Sequence, residues 1–235
     1  MTLILITLLM THLTIVSVTL YLHRSQAHKG VEFHPVLAHA MRFWLWLTTG
    51  MTTKQWVAIH RKHHRFSDVA GDPHTPHVYG IWRVLFTGAG LYHSASKDKE
   101  MVQQYGVGTP DDWIERVIYT PHSRLGILLM LTVDLLLFGA WGFLIWGIQM
   151  IWIPFWAAGV INGVAHWIGY RNGETKDHSR NISPWGIIIG GEELHNNHHL
   201  APASPKFSLK SWEFDIGWMY IKILSALRLA KIRAS

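Results

Sequence analysis

Charge is spread very unevenly along this chain. Residues 1–22 contain no Asp, Glu, Lys or Arg, residues 36–53 contain only Arg42, and residues 125–168 contain only Asp134. These 84 residues carry 2 charges, and the other 151 carry 34, the density of an ordinary soluble domain, about a quarter. A helix that crosses a bilayer needs about 20 apolar residues. Residues 1–22 suffice for one crossing and, without a basic leader or a small-residue cleavage site, do not read as a signal peptide. Residues 125–168 suffice for two, with a turn between Gly139 and Gln149. The expected spans are about 1–22, 125–145 and 148–168. The alternative, buried core helices of a soluble protein, fits poorly with so long a run lacking polar interruption.

Histidine is the second anomaly: 17 residues, more than Asp and Glu together, with no cysteine. Thiolate metal sites, disulfides and cysteine nucleophiles are excluded, so a transition metal must be held by nitrogen and oxygen. At 49% apolar residues with 13 Trp the chain is not disordered. His60, His63 and His64 recur at i, i+3 and i+4, which share one helix face, and His195, His198 and His199 repeat that spacing. His23 and His28 follow the first apolar stretch, and Asn162 and His166 lie a turn apart at the end of the last. Nine histidines exceed the ligand number of one ion and suit two. His12, His39, His93 and His122 read as isolated structural histidines. The bland alternative, a basic surface helix around Arg61, Lys62 and Arg65, does not explain why the triad occurs twice.

If these groups share one site they lie on one side of a membrane. Residues 36–53 are flanked by His28 and His60, so they should be interfacial or re-entrant; residues 125–168 should cross twice. Apart from Arg42, every Lys and Arg then falls on the histidine side, which the positive-inside rule places in the cytoplasm. The expected fold is one all-α integral membrane domain over 1–235: about three transmembrane helices, an interfacial or re-entrant apolar segment, and a cytoplasmic helical cap (54–124 and 169–235) carrying a histidine-rich dimetal site. Residues 111–118 and 211–231 should form amphipathic helices. An all-nitrogen dimetal site at a membrane face suits oxygen activation by iron on an apolar substrate, with some of the Trp residues lining its tunnel.

Several segments resemble the histidine boxes of the membrane-bound fatty acid desaturases. They are His23-Arg24-Ser25-Gln26-Ala27-His28; Trp56 through Pro73 with His74; Asn162-Gly163-Val164-Ala165-His166; Gly191-Glu192-Glu193-Leu194-His195-Asn196-Asn197-His198-His199; and Trp212-Glu213-Phe214-Asp215. The resemblance covers about residues 15–220 and favours the Δ9-type branch, which includes the stearoyl-CoA desaturases, over alkane hydroxylases, sterol oxidases and carotenoid ketolases. It implies two non-haem irons held by His23, His28, His60, His63, His64, His166, His195, His198 and His199, with Asn162 acting through a water. Asp72, His74, Asp177, Arg180 and Glu192 would orient the imidazoles. Which histidine serves which iron stays open.

The implied reaction is O2-dependent insertion of a cis double bond, Δ9, into a saturated fatty acyl chain carried by CoA, ACP or lipid, with O2 reduced to water. Electrons would come from an external donor of ferredoxin, rubredoxin or cytochrome b5 type with its reductase. The expected location is a bacterial inner membrane with the site facing the cytoplasm, and no nucleic acid is involved. A fatty acid or alkane hydroxylase on the same scaffold is the alternative, and a metal transporter a remote one, since transporters hold ligands near the midplane. Two features depart from the family. One span rather than two precedes His23, which would put the N-terminus on the periplasmic side. Ala58-Ile59 also stands where the animal acyl-CoA enzymes have charged residues that meet CoA.

Overall fold

The computed structural model describes residues 1–233. Helix α1 runs over Thr2–Ala27 and α8 over Trp141–His166, and both are long and apolar enough to cross a membrane by length and composition. Between them lie α2 (Pro35–Thr49), α3 (Thr53–Phe66), α4 (Pro76–Tyr79), α5 (Ile81–Ala95), α6 (Lys99–Tyr105), a π-helical turn (Glu115–Tyr119) and α7 (Ser123–Phe138). After α8 come α9 (His195–Leu200) and α10 (Ile216–Ala226). Two small sheets tie distant segments together. Val31–Phe33 pairs antiparallel with Ala230–Ile232, and Trp185–Gly186 pairs parallel with Phe214–Asp215.

The apolar helices are built inside out. On α1 the buried face carries Thr7, Thr11, Thr14 and Ser17, each bonding a carbonyl one turn back. Leu5, Leu8, Leu9 and Leu13 are left exposed. On α7 the exposed residues include Leu128, Leu136 and Leu137; on α8 they include Trp141, Phe143, Leu144 and Ile151. A helix solvated by water does the reverse; small residues inside and apolar residues outside is the pattern of helices solvated by lipid.

The turn between α7 and α8 falls at Gly139–Ala140, at the near edge of the Gly139–Gln149 window read from sequence and before the 145–148 span boundary. Gly139 adopts φ 58°, ψ −139°, a conformation open to glycine. Helix α2 has 15 residues, about 22 Å at the α-helical rise, short of the roughly 30 Å hydrocarbon layer. Its one charge, Arg42, is buried and paired with Asp112 at 2.7 Å and Glu115 at 3.5 Å. The two amphipathic segments are shorter than their sequence pattern. Residues 111–118 give only the π turn. Residues 211–231 give α10 alone, because Phe214–Asp215 and Ala230–Ile232 are drawn into the two sheets. Asp215 caps α10 by accepting from the Trp218 N–H.

Helix α5, read from sequence as part of the cap, packs lengthwise on α8. Gly88 abuts the Ala158 carbonyl and Gly159 abuts the Leu85 carbonyl, so neither position has room for a side chain.

Candidate metal centre

Box spacing and helix type explain each other. Residues 18–27 of α1 are wound as a π-helix, whose hydrogen bonds join residues five apart, and the His28 N–H bonds the His23 carbonyl at 3.1 Å. His23 and His28 are therefore successive rungs of one face, and their rings stand edge to face with centroids 5.0 Å apart. In α8 the chain relaxes into a π-helix from Pro154 onward, where the missing proline N–H breaks the α pattern, and ends in a 3-10 turn that presents His166.

The nine histidines gather into two groups. His23, His28, His60, His64 and His198 bring their ring nitrogens within 4.8 Å of one another, and so do His63, His166, His195 and His199. Each triad is divided. Helix α3 gives its i, i+4 pair, His60 and His64, to the first group and His63 to the second; α9 gives His198 to the first and its i, i+4 pair, His195 and His199, to the second. The Nε2 atoms of His28 and His60 lie 2.7 Å apart, those of His166 and His195 2.9 Å, and His198 Nε2 lies 3.0 Å from both His23 and His64.

Carboxylates fix the other side of four rings. Nδ1–H of His23 donates to Glu192 at 2.7 Å, of His63 to Asp72 at 2.9 Å, of His166 to Asp68 at 2.8 Å and of His199 to Asp177 at 2.7 Å. This places the lone pair on Nε2, pointing inward, the arrangement that orients metal-binding imidazoles. The Nε2 atoms of His63 and His199 are buried with no hydrogen-bond partner among the described residues. Converging, otherwise unpartnered nitrogen lone pairs fit cations of imidazole preference.

Burial, reinforced by neighbouring imidazoles, holds His28, His60, His64, His195 and His198 well below the ordinary histidine value. His199 is brought down to about 4, burial outweighing its bond to Asp177. These rings are neutral and able to coordinate at neutral pH. His63 differs: burial pulls it down, but Asp72 more than offsets this and it ends above its ordinary value. Burial would raise the four acids, yet their histidine partners win. Asp68 comes down to about 2, and Asp72, Asp177 and Glu192 also fall.

Of the residues the resemblance assigned an orienting role, Asp72, Asp177 and Glu192 bond ligand-face histidines. His74 stacks on His63 with centroids 4.7 Å apart, and neither of its ring nitrogens has a partner among the described residues. Burial, then His63, brings His74 down to about 3. Arg180 is elsewhere: its guanidinium donates to the Gly169 carbonyl at 3.3 Å. Asp68, the partner of His166 across 98 residues of chain, was not legible. Its only signal was an acid inside the second box, five residues past His63.

Around this centre, Arg24 pairs with Asp215 and caps the carbonyls of Pro205 and Gly190. Asn197 joins Asn181, Phe207 and Glu213 beneath α9. A cavity of about 800 Å3 opens beside the histidines; its lining includes His60, His74 and Asn162, apolar residues such as Ile127, Met150 and Ile153, and the charged residues Lys97, Lys99 and Arg124.

The sequence profile described as "Fatty acid desaturase" matches residues 1–213. The chain belongs to the fatty acid desaturase family. Among its desaturase relatives, the sn-1 stearoyl-lipid 9-desaturase of Synechocystis sp. is 32% identical over 220 residues, 92% of this chain and 66% of that protein. The Anabaena variabilis protein of the same name is 30% identical over 91% of this chain and 76% of its own length. Delta-9 acyl-lipid desaturase 1 of Arabidopsis thaliana is 30% identical over 91% and 69%. The chain thus spans about two thirds to three quarters of these relatives, and within the family it falls on the Δ9-type acyl branch. Desaturases of this kind are oxidoreductases acting on fatty acyl chains.

Proposed function

We propose that this protein is an O2-dependent acyl-lipid desaturase that introduces a cis double bond at the Δ9 position of a saturated chain, using two non-haem irons. The observation that carries the reading is the pair of inward-facing histidine groups, one member of which, His60, lines a cavity that also carries apolar residues such as Ile127, Met150 and Ile153. The five-histidine group would hold one iron and the four-histidine group the other, the latter completed by a water on Asn162. The four ionised acids, Asp68, Asp72, Asp177 and Glu192, balance the charge of two divalent cations. When bound, such a pair supplies the activation of O2 needed to abstract hydrogen from two adjacent methylenes.

The chain's own residues do the rest. Four carboxylates keep the Nδ1 protons in place and the lone pairs inward. The cavity holds an extended acyl chain away from water and lays its methylenes past His60 and Asn162. Lipid as carrier is supported by the names of the three relatives given above and by Ala58 and Ile59, buried at 0% and 2% exposure, which offer no charge to a CoA moiety. Crossings by α1 and α8, with the 16-residue α7 as a shorter arm packed on α8 and the histidines on the cytoplasmic face of a bacterial inner membrane, are supported by the inside-out helices and the distribution of Lys and Arg. Two electrons come from an external donor protein, because a cysteine-free chain holds no thiolate relay.

The test is expression in a desaturase-deficient host with gas chromatography of total fatty acids and mapping of double-bond position. The expected product is Δ9-unsaturated chains, with about two irons per purified chain. Hydroxylated chains alone, or one zinc and no O2 consumption, would overturn the proposal.

A further inference from the structure

Asp134 and Gln149 face each other between α7 and α8, at 0% and 2% exposure. Gln149 Nε2 donates to Asp134 Oδ2 at 2.8 Å. The other two oxygens of the pair, Asp134 Oδ1 and Gln149 Oε1, are buried with no partner among the described residues. No salt bridge reaches Asp134 among those residues.

Two leftover acceptors and no donor is an unstable account for a carboxylate. An ionised acid here would hold a full charge in apolar surroundings on one hydrogen bond, and such a charge is strongly disfavoured. One proton on Oδ1 resolves both deficits, because a protonated acid has an O–H to give and an amide carbonyl can accept it. Acid and amide then close a ring of two hydrogen bonds.

The position of the pair gives it a use. Gln149 lines the cavity, and on α8 it is the lining residue nearest the Gly139 turn; Ile127 is the nearest on α7. From Asn162 to Gln149 the lining follows roughly 20 Å of helix, past Ala157 and Ile153. Thr48 and Thr49, also lining, are satisfied by carbonyls of their own helix.

We propose that Asp134 is held as the neutral acid in a doubly hydrogen-bonded pair with Gln149, and that Gln149, locked by Asp134 behind it, is the floor of the acyl cavity, setting the length of chain it accepts. The inference rests on the desaturase reading above. A closed ring presents no free polar atom to a terminal methyl, so a chain of the right length can end against it. A longer chain must break the ring and strand both polar groups. In an apolar pocket one methylene of misfit changes selectivity by about 10-fold or more.

The experiment expresses full-length Gln149→Ala, Asp134→Ala and Asp134→Asn in the desaturase-deficient host and reads the unsaturated products by chain length. Gln149→Ala and Asp134→Ala are expected to raise the ratio of longer to shorter products about 10-fold. Asp134→Asn should keep the wild-type ratio, because its amide N–H replaces the acid O–H toward Gln149 Oε1. Unchanged ratios in both alanine variants, or a shifted ratio in Asp134→Asn, overturn the proposal. Infrared spectroscopy of purified protein supplies a readout independent of turnover. A protonated-carboxyl stretch at neutral pH, absent from Asp134→Asn, is expected, and its absence from the wild type overturns the pairing. If the wild type makes no unsaturated chains, the desaturase reading fails, while the infrared band still decides the state of Asp134.

Discussion

Arg24 and Asp215, 191 residues apart in sequence, form a two-pronged ion pair at 2.9 and 3.1 Å with neither side chain exposed. Arg24 follows His23 directly, and Asp215 caps α10, so the pair locks the first histidine box to the segment that closes the fold behind the third. The guanidinium also lies over the Phe207 ring at 3.8 Å, and Phe207 packs on His23 and His198.

Removing one partner of a buried pair strands the other charge, at a cost of about 3–5 kcal/mol. Asp215→Asn should therefore lower the thermal unfolding midpoint in detergent sharply and reduce bound metal. The double variant Arg24→Met, Asp215→Leu should recover part of the loss, since no unpaired charge remains. A single variant as stable as wild type would show that the pair contributes nothing.

Asp68→Asn leaves the shape of the site intact but replaces the acceptor that fixes His166. Loss of such a supporting carboxylate weakens metal binding about 10–100-fold, to be read by competition with a chelator. Arg180→Ala, whose guanidinium donates to the Gly169 carbonyl and to no ligand histidine or its carboxylate among the described residues, should leave that affinity unchanged. Equal losses in the two variants would remove the distinction drawn between them.

Metal-free protein should lose stability on mild acidification. His28, His60, His64, His195, His198 and His199 refuse protons in the folded state that the unfolded chain takes up below its ordinary value of 6.5. Unfolding then gains protons as pH falls from 6.5 toward 4, each worth up to about 1.4 kcal/mol per pH unit. His63 acts in the opposite sense: its contribution is full below 6.5 and is lost as pH rises through its raised value. One such group against these six, with His74 lowered in the same sense, leaves a net loss, and denaturant titrations of chelated protein across this window should show it. A flat profile would contradict the neutral-histidine description.

Gly88→Val would place a branched side chain against the Ala158 carbonyl. Overpacking of this kind costs about 1–3 kcal/mol and would push α5 off α8, widening a wall of the cavity. The expected outcome is lower stability together with a less selective product profile, read by thermal unfolding and gas chromatography.

Much of the centre was legible because its pattern is local. The two i, i+3, i+4 triads state their own face, and the charge-free runs state their own solvent. The i, i+5 spacing of His23 and His28 was visible as a motif, but its reason, a π-wound end to α1, depends on how that end is held by Glu192 and the loop before α9. Asp68 escaped because it serves a histidine on another helix, and Arg180, given an orienting role by the resemblance alone, donates instead to the Gly169 carbonyl. The role of α5 as a wall of α8 was masked by its single charge, Arg83, and by exposed Trp82 and Phe86, which look like cap surface until Gly88 and Gly159 are seen in contact.

The division of each triad between the two histidine groups makes the centre one mechanical object. A single rigid turn of α3, and another of α9, sets the spacing of both groups at once, so neither can be displaced without moving the other. If each group holds one iron as proposed, occupying one anchors both turns and preorganises the other, and iron titrated into metal-free protein should load as a step rather than a ramp.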